Sequence, residues 1–256
     1  MAISYTPRKD GRIALVLQFC PLDFDAAMRN AVRIADNEPT FRKDVEFVFV
    51  ERFDCKVDRK VLGHVSDKFT TSVHHSTRRG TGHPAGCNDL WCDWVVCGAL
   101  GNYLSGKWAG VKCMFTFEAD SIPVHPDWIS KLSAEWNRAA EQEKFIVGCW
   151  MDVGIPGVGH INGNMLVPPE LGKLIPSVIG CPANAAWDMW FANDFQNYWF
   201  KSGAIANFYR HTNLTEEQAK RTWFGSAEPP VVIHGVKDLS AEAYGDKVLR
   251  KTRGFV

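Results

Sequence analysis

No two of the eight cysteines form a CxxC pair, so zinc-binding spacing is missing, and a chain of 256 residues has no need of a disulfide framework. The cysteines read instead as free, mostly buried thiols. Cys87, Cys92 and Cys97 recur every five residues, which turns a helix by about 140° per step and keeps them off a common face. A GxGxxG fingerprint and a Walker A loop are also lacking, which weakens the dinucleotide and P-loop readings. Basic and acidic side chains balance at 29 each, so no strongly basic surface for nucleic acid is implied, although a local basic groove is compatible with that balance. No apolar run approaches the length of a membrane span. The opening MAISYTPRKDGR has no apolar signal core, from which a cytoplasmic protein is expected. Repeats and low-complexity segments are absent, and the length fits one large α/β domain spanning 1–256.

What is present is organised around residues 111–128, VKCMFTFEADSIPVHPDW. Val111, Cys113, Met114, Phe115 and Phe117 form a nearly continuous apolar run, the mark of a strand buried on both faces. The run ends on Glu118 and Asp120. If the strand continues, these acids share one side, just past the carboxyl end of a strand, where a parallel α/β sheet places its ligands. Such a pair can hold a divalent cation against a diphosphate. Pro126 then opens a helix with an apolar stripe at Trp128, Leu132, Trp136 and Ala139 or Ala140.

Upstream, RIALVLQF (12–19) reads as a first buried strand and 26–35 as a helix capped by Asp23 or Asp25. VEFVFV (45–50) reads as a second strand with Glu51 and Arg52 at its end, completing a βαβ unit whose edges would frame a nucleotide cleft. Residues 73–88 collect Gly80, Gly82, Pro84 and Gly86 with Arg78, Arg79 and His83. They read as a loop, either one that meets an anion or a surface loop of solvated charges. A helix capped by Asn88 or Asp89 follows, hydrophobic almost all round through Leu104. FIVGCW (145–150) and HINGNMLV (160–167) read as strands, with Gly163 marking a close approach by backbone or ligand. AAWDMWFANDF (185–195) opens a helix in which Trp187 and Trp190 flank Asp188, either a sugar or base site or a core edge with a solvated acid. VVI (231–233) leads to His234 and Lys237. Residues 239–256 form a basic tail, read as frayed or solvated, or as a contact for a polyanion. Most of the ten tryptophans are expected in the core.

The order of these parts, over residues 12–238, resembles nucleotide-sugar glycosyltransferases of the GT-A fold. The resemblance rests on FEAD, HINGNMLV, AWD and VVIHGVKD in succession after the βαβ opening. It implies an α/β chain with a Rossmann-like, mostly parallel central sheet flanked by helices. Glu118-Ala119-Asp120 resembles the family's DxD motif with Glu in the first place. Asp120 is thereby implied as a direct ligand of Mn²⁺ or Mg²⁺, Glu118 as a ligand or a ribose contact, and His234 as the histidine that returns to the metal. Lys237, Arg79, Asn88 and Glu51 are implied at the donor, a nucleotide-diphosphate sugar such as a UDP-sugar, and Asp188 as the acid facing the acceptor hydroxyl. A likeness to small proteins of tailed phages and large DNA viruses adds a hydroxylated or modified DNA base, in a host cytoplasm, to glycan among the expected acceptors. Two alternatives are a nucleotidyltransferase acting on a sugar phosphate, which would carry a Gly-rich, basic first loop where this chain has CPLDFD, and a non-catalytic module binding sugar or nucleic acid through its tryptophans.

Overall fold

The computed structural model describes residues 4–155, 158–174, 181 and 186–252. In chain order the strands are β1 (Arg12–Phe19), β2 (Arg42–Glu51), β3 (Phe69–His75), β4 (Val111–Phe117), β5 (Ile122–Pro123), β6 (Ile146–Ile155), β7 (Val158–Val167), β8 (Trp199–Lys201), β9 (Ile205–His211) and β10 (Val232–Val236). The helices are α1 (Phe24–Asp36), α2 (Arg59–Ser66), α3 (Ala85–Asp93), α4 (Leu100–Leu104), α5 (Trp128–Glu141), α6 (Leu171–Leu174), α7 (Trp187–Trp190), α8 (Ala192–Phe195), α9 (Glu216–Ala219) and α10 (Ser240–Thr252). No helix among the described residues is long and apolar enough to cross a membrane.

Seven strands form the main sheet in the order β3-β2-β1-β4-β7-β6-β8, and only β7 runs against its neighbours. Continuous apolar runs take the middle: β4 is buried at every position, and β1 at nearly all. FTTSVHH, polar at alternate positions, takes the edge as β3. That strand and α2 were not legible in the sequence, where 73–88 read as one loop. Helix α5 buries the expected stripe of Trp128, Leu132, Trp136, Ala139 and Ala140. Trp91, Trp94, Trp108, Trp128 and Trp136 are fully enclosed, so five of the ten tryptophans lie in the core.

Three expectations are corrected, and one feature was not foreseen. The helix after the glycine-rich stretch starts at Ala85 behind Pro84, not at a cap on Asn88 or Asp89, and its middle, Trp94–Ala99, is π-helical. The last strand lies in a second sheet of three, where β10 pairs antiparallel with β5 and parallel with β9. The basic tail is neither frayed nor wholly solvated as far as it is described: α10 buries Ala241 and Leu249, and Arg33 on α1 bonds Asp246 at 2.7 Å. Its apolar stripe was hidden among lysines and arginines. Arg253 and the residues beyond it, like Ala185, lie outside the described residues. Among the thiols, only Cys92, Cys113 and Cys149 are buried, while Cys87 and Cys97 are exposed on either side of Cys92. That alternation is what a five-residue step on a helix imposes.

Candidate metal centre and active site

The buried ladder of β4 ends at Phe117, so Glu118 and Asp120 stand on a turn, closed by the Ser121 N–H to the Glu118 carbonyl at 3.0 Å, rather than on a continuing strand. Two asparagines fix that turn. Asn164 of β7, fully buried, accepts the Glu118 N–H at 2.9 Å and the Ser121 hydroxyl with the same Oδ1. Its own amide donates to Asn162 at 2.8 Å. From the other side, Asn30 of α1 donates to the Ala119 and Ser121 carbonyls at 3.3 and 2.9 Å. Neither asparagine was recognised from sequence; the only trace of Asn164 is a polar residue inside the apolar run NMLV.

Because one oxygen of Asn164 serves two donors of the turn, its loss leaves both without that acceptor, the Ser121 hydroxyl in a buried position. We expect Asn164→Ala to cost about 2 kcal/mol, the scale of one unmet buried donor plus the lost side chain, and to weaken metal binding with it. Denaturant melts with and without Mn²⁺ check this; a variant as stable and as metal-responsive as the parent would remove Asn164 from the site's support.

The second sheet delivers the third member of the cluster. Chain leaving the turn becomes β5 at once, and the register Ile122↔Ile233 brings His234 beside the acids. Nε2 of His234 lies 3.1 Å from Glu118 Oε2 and 3.2 Å from Asp120 Oδ1. Lys237, three residues on, bonds Asp120 Oδ2. Between them Gly235, at φ +81°, admits a bulge of β9: an added Cβ would sit 2.7 Å from Asn207 Oδ1 and 2.8 Å from the Tyr209 nitrogen. Only glycine combines that φ with that closeness.

Burial opposes ionisation of Asp120, but the hydrogen bond and charge of His234, with those of Lys237, outweigh it and hold the carboxyl well below the usual carboxylate range. Burial also opposes charge on His234; hydrogen bonding and charge from Asp120 and Glu118 prevail and push it up to about 9. One imidazole N–H facing two carboxylates is a poor use of a single donor. A cation is a better fit: adjacent ligands of an octahedral site with bonds of about 2.1 Å lie about 3.0 Å apart, close to the separations seen. Two carboxylates and one imidazole suit Mn²⁺ or a similar divalent ion, and the three ligand atoms all lie within 4.8 Å of one another. Exposure grades across the cluster, from 8% for the His234 side chain through 23% for Asp120 to 54% for Glu118. The side toward Glu118 is therefore open to a further ligand.

The other expected residues fall into two groups. At the end of β2, Glu51 is buried and accepts from the Val57 N–H at 2.7 Å while contacting His75 at 3.0 Å. Arg79 lies over the Phe53 ring at 5.3 Å. Asn88, inside α3, accepts the Trp187 N–H at 3.1 Å, so it holds the start of α7. Trp187 stacks on Trp91 with centroids 3.7 Å apart. Gly163 is explained by that ring: a Cβ there would be 2.9 Å from Trp187 and 3.8 Å from Glu118 Oε1. Asp188, the next residue, pairs with His160 of β7 at 3.3 Å. A groove of about 560 Å³ lined by Arg29, Arg33, Glu242 and Leu249 includes none of the three clustered acid and imidazole side chains.

No protein-family model matches the chain, and no curated protein matches its sequence. Among solved structures, the apo form of mouse xyloside xylosyltransferase 1 is 13% identical at a TM-score of 0.51, over 88% of this chain and 97% of that one. An active-site mutant of LgtC is 12% identical at a TM-score of 0.52, over 93% of this chain and 95% of that one. The fold is GT-A. Identities this low speak for the GT-A architecture alone. The chain also matches S. aureus TarS at 12% identity and a TM-score of 0.45, with 75% of this chain covering 37% of that longer one.

Proposed function

We propose that this GT-A chain is a metal-dependent glycosyltransferase that moves a sugar from a nucleotide-diphosphate sugar to an acceptor hydroxyl. The observation that carries the reading is the convergence of Glu118, Asp120 and His234 just past the end of β4. Asp120 is the firmer metal ligand, being the less exposed of the two acids, and His234 and Glu118 complete the set. A divalent cation bound there would supply positive charge to the departing diphosphate. Lys237, already at Asp120, is a cation of the chain itself that would add to that stabilisation. Glu51 and Arg79 would border the donor's nucleoside end, and Asp188 the acceptor side. Trp187, stacked on Trp91, would exclude water between the two.

A UDP-sugar is the first donor to test; glycan and a hydroxylated DNA base are the acceptors to compare. The zero net charge disfavours tight binding to DNA, whose affinity comes largely from neutralised phosphates. The test is incubation of the purified protein with Mn²⁺ and a panel of nucleotide sugars. Slow release of nucleoside diphosphate, abolished by a chelator, is the expected result. Pyrophosphate release would mean a nucleotidyltransferase, and no release from any donor a binding module.

A further inference from the structure

A transferase needs somewhere to put the acceptor's proton, and the geometry around Asp188 bears on that. Its Oδ2 lies 3.3 Å from Nε2 of His160, and its Oδ1 accepts the Met189 N–H at 3.0 Å. Both side chains are largely enclosed, His160 12% and Asp188 16% exposed. A carboxylate only accepts, so a hydrogen shared between the two sits on Nε2, and in that tautomer Nδ1 is the ring's acceptor. The His160 side chain, though largely enclosed, still reaches solvent.

The pair is also fixed to the metal-binding framework. His160 shares β7 with Asn164, which holds the turn bearing the two acids. Asp188 follows Trp187, whose backbone is bonded to Asn88, whose ring is stacked on Trp91, and which crowds Gly163 beside Glu118. Both residues thus belong to elements that contact that edge of the site. A base in turn oriented by a carboxylate is the arrangement that activates hydroxyl nucleophiles on unrelated folds.

Resting on the transferase reading, we propose that His160 and Asp188 act as a dyad in which Nδ1 of His160 takes the acceptor's proton while Asp188 orients the ring and stabilises the imidazolium. The acceptor O–H bond breaks, its proton going to His160, and its oxygen bonds the anomeric carbon. The bond from that carbon to the diphosphate breaks, and its electron pair leaves with the nucleoside diphosphate. The imidazolium then returns its proton to solvent. Attack comes from the face opposite the leaving group, so the anomeric configuration inverts. Asp188 is thereby the positioning residue and His160 the base.

Water serves as the acceptor in the test, using whichever panel donor the parent protein hydrolyses with Mn²⁺. His160→Ala should lower kcat by about 100-fold or more, the usual reach of a general base, with donor KM and the half-saturating Mn²⁺ concentration unchanged. Added imidazole should restore about tenfold in that variant and nothing in the parent, because free imidazole can occupy the vacated position. His160→Gln, of similar size and checked for folding by circular dichroism, should show the same loss without rescue. The sugar released first should carry the inverted configuration by NMR. An unchanged kcat, a loss in His160→Ala that imidazole does not repair, or retention of configuration would overturn the proposal. If the parent itself turns over no donor, the transferase reading fails and the dyad falls with it, a result distinct from any of those three.

Discussion

Asp120→Asn is expected to lower metal-dependent turnover by about three orders of magnitude or more, at the upper end of what removing one charge-stabilising contact does in an active site. The reason is that Asp120 is the hinge of the cluster's electrostatics. It faces His234 with one oxygen and Lys237 with the other, and it is the less exposed of the two acids. Replacing it by a neutral amide of the same shape removes a formal charge from the metal and the strongest contact that raises His234. The fold should survive, because Lys237 is half exposed and loses little by returning to water, while the turn itself hangs on Asn164 and Asn30. Glu118→Gln should be milder, about tenfold in the metal requirement, since more than half of that side chain is solvated. Initial rates across a Mn²⁺ titration, with thermal melts alongside, decide the matter. An Asp120→Asn variant retaining a tenth of parental turnover would remove the central assignment.

How much of this was legible beforehand follows from the kind of interaction involved. Strands β1 and β4 were readable because burial on both faces leaves an unbroken apolar run. The acids after β4 were readable because charge at the end of such a run has few structural uses. By contrast, β3 and α2 lie at the sheet's edge, where polar residues are tolerated and periodicity fades. β5 is two residues long and ends in a proline, so no local pattern could have announced the second sheet. Asn164 acts on Glu118 and Ser121 across more than forty positions of sequence, and His160 meets Asp188 through the packing of α7 on β7. Those roles exist only in three dimensions. The helix start at Ala85 was missed for a local reason: Asn88 is a good cap by residue type, but its side chain is turned to the Trp187 N–H instead.

The metal requirement should depend steeply on pH, with affinity rising as pH rises. In the metal-free protein His234 is pushed up to about 9 by the acids that face it, so at neutral pH its Nε2 carries a proton. A cation needs the lone pair at that atom, and binding therefore expels the proton. Well below 9 each added pH unit should tighten Mg²⁺ or Mn²⁺ binding about tenfold; the gain from pH 7 to 9 is roughly 50-fold, and it levels off above that. Asp120 adds nothing in this window because it is ionised throughout it. Stability of the metal-free protein should run the opposite way. A folded-state value above the unfolded one gives stabilisation that is complete below about 6.5 and is lost as pH climbs through about 9, on the order of 3 kcal/mol in all. Saturating cation should flatten that decline, since the ion then occupies the place of the proton between the same three groups. Calorimetric titration with Mg²⁺ in buffers of different ionisation enthalpy counts the proton released, and melts at pH 6.5 and 9 read the stability change. Binding that is independent of pH, with no proton released, would mean that His234 does not ligate the ion and that the two carboxylates hold it alone.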